Sequence, residues 1–240
     1  MTRGRGPAFA RARGLLPMTT TFTSSGCARH GHPEVTVTFA EPPLIPDGER
    51  LILGHVEAAV ARGARFLPGE TTAIGGHLVR FKAREDGTLG VEEPEPAPKE
   101  AWIEAVDRTV REVTLQKFVN ESVGLELAFP PPRASLLVSR CAQGADAVTL
   151  TRADAGSAAR GLSGWGLTCA EAHPHPEPFV LPLLALSALE PGLVPFLALP
   201  PGTVAQVSSG PAHVTFRGQA REPLEGSFLA RRNERAARKA

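Results

Sequence analysis

Three consecutive prolines, Pro130-Pro131-Pro132, follow Phe129 near the middle of the chain. Each lacks a backbone donor and fixes its own φ, so neither a helix nor a central strand can pass through them. The break divides 240 residues into two parts, each long enough to bury a core of its own. It predicts a lead over 1–33, a first module over 34–128, a second over 134–217 and a basic tail over 218–240.

In the first part, Val35, Val37 and Phe39 alternate with Thr36 and Thr38, the period of a half-buried strand. Asp47 is placed to cap a helix from about Gly48 to Arg62, with Leu51, Ile52, Val56, Ala59 and Val60 on one face. His77 to Arg84, the Asp86-Gly87 turn and Thr88 to Val91 read as a hairpin. The acidic, proline-rich run Val91 to Glu100 reads as a solvated linker carrying Glu92, Glu93 and Glu95. A long helix is expected from Ala101 to about Ser122, anchored in the core by Trp102.

Beyond the prolines, Ser135 to Cys141 and Ala147 to Arg152 read as adjacent strands joined at Gly144. The small-residue segment Ala153 to Gly161 leads into Gly161-Leu162-Ser163-Gly164-Trp165, read as a turn. Leu181 to Leu189 and Gly192 to Leu199 suggest two brief helices jointed at Pro191, and Thr203 to Val207 with His213 to Phe216 a final hairpin. The pattern is α+β: two modules with mixed or antiparallel sheets, a few helices and disordered basic termini.

Charge is unevenly placed. Residues 1–13 carry four arginines and no acid, and 231–240 carry five basic residues against Glu234. The body between them holds 17 basic and 24 acidic residues, a net of −7. Such a body disfavours nucleic acid as partner, because phosphate neutralisation carries that binding. Three cysteines make no disulfide framework, so a cytoplasmic setting is expected. Arg11 and Arg13 interrupt any secretory pattern, and Met18 rather than Met1 reads as the start. Prolines break Phe179 to Leu199 before it could span a membrane.

Enzyme signatures are missing. Gly161-Leu162-Ser163-Gly164 lacks the spacing of a nucleophile elbow, and Gly69 to Gly76 lacks the lysine of a phosphate loop. Two Cys/His runs carry metal-ligating types: Cys27-x-x-His30-x-His32 and Cys169-x-x-x-His173-x-His175. Their spacings fit no standard zinc module, the first lying in the lead and the second in a His-Pro-His-Pro loop. No metal or cofactor is therefore assigned, and Cys169, His173 and His175 stand as candidates for an alternative metal-dependent reading. Arg140 and Arg152, near the ends of adjacent strands, are candidates to meet a partner's acids.

The order of pieces over 134–217 resembles a bacterial domain classed as immunity protein family thirty-three of polymorphic toxin systems. The pieces are ASLLVSRC, a strand to Arg152, Ser163-Gly164-Trp165, the Pro191 joint with Val194, Pro195 and Leu197, and the Gly202 turn. The family's motif leads with aspartate, where this chain has Leu162. The resemblance implies an α+β binding domain that neutralises a cognate toxin, without catalysis or cofactor. Trp165 is then a turn-locking pin or a partner contact, with Ser163 and Gly164 beside it. The remaining alternative is a scaffold or regulatory protein.

Overall fold

The structure is a computed structural model and describes residues 19–95, 101–153 and 161–238. The fold is α+β, with two mixed sheets.

The first sheet holds β1 (Thr20–Thr23), β2 (Val35–Phe39), β3 (Thr71–Ile74), β4 (His77–Ala83), β5 (Leu89–Pro94) and β6 (Trp102–Ile103). Its order is β1-β2-β5-β4-β3, with β6 added to the end of β5, and only β2–β5 is parallel. Helix α1 (Arg50–Ala61) supplies Ile52, Leu53, Val56 and Val60 to a core with Val35, Val37, Phe39, Val79 and Phe81.

The second sheet holds β7 (Ser135–Val138), β8 (Ala147–Arg152), β9 (Leu162–Cys169), β10 (Phe179–Pro182), β11 (Thr203–Ser208), β12 (His213–Phe216) and β13 (Gln219–Arg221). Its order is β10-β7-β9-β8-β11-β12-β13, with β7–β9 the parallel pair. Helix α3 (Leu183–Leu189) and the 3-10 turn Val194–Phe196 cover this sheet through Leu183, Leu186 and Phe196.

Between the sheets runs α2 (Asp107–Ser122), whose Val110 packs in the first core and Val119 in the second. Its N-terminus is fixed from β5. The buried Glu93 carboxylate accepts hydrogen bonds from the Arg108 amide (3.2 Å) and the Thr109 amide (2.7 Å), donors that no carbonyl within the helix can satisfy. Asp107 reciprocates by accepting from the amides of Ala40 (3.0 Å) and Glu41 (2.8 Å) at the end of β2.

Several expectations are corrected. Residues 20–33 are not a disordered lead, because Thr20–Thr23 pairs with β2 and Cys27 is fully buried. The tail also folds. Helix α4 (Phe228–Ala237), capped by Ser227, buries Leu229 in the second core, so only its polar face is the basic stretch seen in sequence. Of the supposed linker, 91–94 is strand, with Glu92 and Glu93 buried by pairing and capping rather than solvated. Residues 96–100 lie outside the described residues, as do 1–18 and 154–160.

Trp102 is a half-buried residue of β6 with the Arg80 guanidinium 4.6 Å above its ring, and the helix starts only at Asp107. Asp47 does not cap α1: its φ of 57° puts it in a left-handed turn, and no side chain caps that helix. The largest correction is topological. Strands β7 and β8 are not adjacent, because β9 lies between them.

Candidate metal centre

Ser163-Gly164-Trp165 is a strand segment of β9, not a turn. Gly164 has a φ of 81° and sits where the β7 register skips, pairing Ser135 with Leu162 but Leu137 with Gly166. This is a bulge that requires glycine twice over, by its φ and because a Cβ would come within 3.2 Å of the Ala153 carbonyl oxygen. Ser163 bridges it, donating to the Ser135 carbonyl (2.8 Å) and accepting from the Trp165 amide (3.2 Å). Trp165 is 1% exposed, and its Nε1 donates to the Leu197 carbonyl at 2.9 Å.

Arg152 is buried beside it, with its guanidinium 5.4 Å over the indole ring. Its Nη1 donates to the carbonyls of Ala128, Leu197 and Leu199, and among the described residues it has no acidic partner. Burial lowers its pKa to about 10, so it stays charged at neutral pH. Arg152 thus clamps three carbonyls from two connections and cannot meet a partner's acids. Arg140 is exposed, in the 3-10 turn Arg140–Ala142 at the end of β7.

That turn contains Cys141, and the parallel pairing of β7 with β9 explains what it meets. Val138 is opposite Leu167, so Cys141 and Cys169 leave the same end of neighbouring strands. The loop after β9 returns over this end and brings back His173 and His175. One ligand atom from each of Cys141, Cys169, His173 and His175 lies within 4.8 Å of the other three. Cys169 Sγ is 3.0 Å from His173 Nε2 and 3.8 Å from His175 Nδ1, and Cys141 Sγ is 3.3 Å from His175 Nδ1.

These separations can be compared with a tetrahedral zinc shell. Zn–S near 2.3 Å and Zn–N near 2.0 Å put a sulfur and a nitrogen about 3.5 Å apart along a tetrahedral edge. The three S···N distances bracket that value. The ring orientations fit as well. His173 Nδ1 donates to the Pro174 carbonyl at 2.9 Å, which leaves Nε2, the atom facing Cys169, as the lone-pair nitrogen. Pro174 and Pro176 stiffen the loop that carries both rings.

Cys169, His173 and His175 are thus joined by Cys141, which spacing alone does not mark. It stands 28 residues before Cys169, and only parallel pairing makes them neighbours. The other Cys/His run does not assemble. Cys27 packs against Ser24, His32 bonds the Pro33 carbonyl and the Phe66 amide, and His30 faces Arg29. Among the described residues no helix is long and apolar enough to cross a membrane. The chain matches no family model, no curated protein and no solved structure.

Proposed function

We propose that this is a zinc-binding protein in which Cys141, Cys169, His173 and His175 hold one Zn²⁺ at the strand ends of β7 and β9 in the second sheet. The observation that supports the reading is the convergence of four soft or imidazole donors within 4.8 Å. Two thiolates and two neutral imidazoles suit Zn²⁺, whose preference is tetrahedral and whose ligands are nitrogen and sulfur. Four protein ligands fill the shell and leave no position for water or substrate, so the role is structural rather than catalytic. The metal clips the loop over 170–176 onto the ends of β7 and β9. The test is metal analysis of the purified protein and of single Cys141→Ser, Cys169→Ser, His173→Ala and His175→Ala variants. One zinc per chain, lost in each variant, agrees with the proposal, and zinc retained in all four refutes it.

A second reading is a non-catalytic binding protein that neutralises a cognate toxin. Its support is the order of segments over 134–217 and the acidic body of net −7, suited to a basic partner. Because Ser163, Trp165 and Arg152 are buried, such a partner would contact other surface, with Arg140 the one exposed side chain among those candidates. Co-purification with the product of a neighbouring toxin gene tests it: a stable complex supports this reading, and no association refutes it.

A further inference from the structure

A cavity of about 670 Å³ opens between the two sheets and is separate from the cysteine–histidine cluster. Its volume falls in the range of sites for small organic ligands, roughly 300–1,000 Å³. Most of the wall is apolar, supplied by Trp102, Leu78, Pro130, Leu184 and Val194. One end is polar and built on α2, where Arg108, Glu112 and Gln116 stand on successive turns, with His77 from β4 and Ser187 from α3 opposite.

The hydrogen bonding at this end is incomplete. Arg108 Nη2 donates to the Pro94 carbonyl, but among the described residues Arg108 Nε and Nη1, His77 Nε2 and Gln116 Oε1 are buried without hydrogen-bond partners. Native proteins rarely leave buried polar atoms unpaired, and an unpaired guanidinium is the costliest case here. The acids nearby do not fill the gap. Glu93 is engaged with the first amides of α2, and the nearest oxygen of Glu112 is 4.0 Å from Arg108 Nη1, beyond hydrogen-bond reach. Glu112 already accepts from Ser187 at 3.0 Å.

Burial raises the Glu112 pKa to about 7, against the lowering effect of Arg108 and Arg111 and with the raising effect of Glu93. Burial also lowers that of His77 to about 3. The 3.5 Å approach of His77 Nδ1 to Glu112 is therefore between a neutral imidazole and a carboxyl that is half protonated near neutrality, not a fixed ion pair. The polar end thus carries a guanidinium whose Nε and Nη1 lack hydrogen-bond acceptors, in a 4.0 Å ion pair with an acid that can give up its own charge by taking a proton.

We infer that this cleft binds a small apolar carboxylic acid, its carboxylate on Arg108 and its hydrocarbon body along the Trp102 and Leu184 wall. The anion supplies the acceptors that the guanidinium lacks, and the apolar body takes the place of water against the wall.

The experiment compares three matched probes, octanoate, octanamide and octylamine, by calorimetric titration of the full chain at pH 6.5. Octanoate should bind at least tenfold more tightly than octanamide, and octylamine should not bind. Arg108→Gln should bring the octanoate-to-octanamide ratio close to one, with the fold checked by circular dichroism. If that variant fails to fold, Leu184→Trp serves instead: it fills the cleft from α3 without touching Arg108, and should abolish binding of both probes. Equal binding of octanoate and octanamide by the unaltered chain, preference for octylamine, binding unaffected by Leu184→Trp, or no binding of any probe overturns the inference.

Discussion

Trp165 donates its indole N–H to the carbonyl of Leu197, and this bond joins the bulged centre of the second sheet to the turn that covers it. The ring fills the core below, and Arg152 closes it from the side while donating to the same carbonyl. Trp165→Ala should cost about 3–5 kcal/mol through the cavity it leaves. Trp165→Phe should cost less, because it keeps most of the ring and loses chiefly a buried hydrogen bond. Denaturant unfolding of both variants checks the ranking, and a neutral Trp165→Ala would contradict the packing described.

Arg152 is the sharper case, since among the described residues its buried charge has no acid beside it and is held by carbonyl dipoles. Arg152→Met keeps the aliphatic stem and strands the carbonyls of Ala128, Leu197 and Leu199, which should destabilise the fold by about 2–4 kcal/mol. Arg152→Lys should recover only part of this, as one ammonium cannot reproduce the spread of a guanidinium. Thermal melts order the three proteins, and equal stability of Arg152→Met and the unaltered chain would contradict the clamp.

Glu112 gives a pH dependence with a defined sign. Folded, it keeps its proton up to about pH 7, whereas its ordinary value is 4.5. The folded chain thus holds the extra proton across that window, and the stability from this group falls as pH rises through it. His77 works in the opposite sense. Its folded value of about 3 lies below its ordinary 6.5, so its contribution is present at neutral pH and is lost as pH falls. Glu112→Gln removes the first effect and leaves the second. The variant should therefore gain on the unaltered chain between about pH 5 and 7, by up to roughly 3 kcal/mol, and then level off. A difference that stays flat across this range would contradict the assignment.

Alternation and spacing made much of the architecture legible in sequence. Val35–Phe39, the hairpin at Asp86-Gly87 and the closing β11–β12 hairpin all follow local patterns, although Thr36 on the second face of β2 is buried as well. What was not legible is non-local. Glycines and a serine around Trp165 read as a turn, because nothing in the local sequence distinguishes a bulge in a central strand from a loop. Glu93 reads as solvated beside prolines, because its partners are helix amides 15 and 16 residues away. Cys141 escapes notice as a ligand for the same reason: its partners depend on the insertion of β9 between β7 and β8. The Cys169, His173 and His175 spacing was visible, and what it lacked was the fourth ligand.

If Cys141, Cys169, His173 and His175 form one tetrahedral sulfur–nitrogen site, titration of metal-free protein with Co²⁺ reads out its geometry and its ligands. Intense visible d–d bands and a thiolate charge-transfer band should appear and saturate at one Co²⁺ per chain. Stoichiometric Zn²⁺ should bleach both, and Cys141→Ser should weaken both. Weak, octahedral-type absorption, or spectra unchanged by Cys141→Ser, would contradict that site.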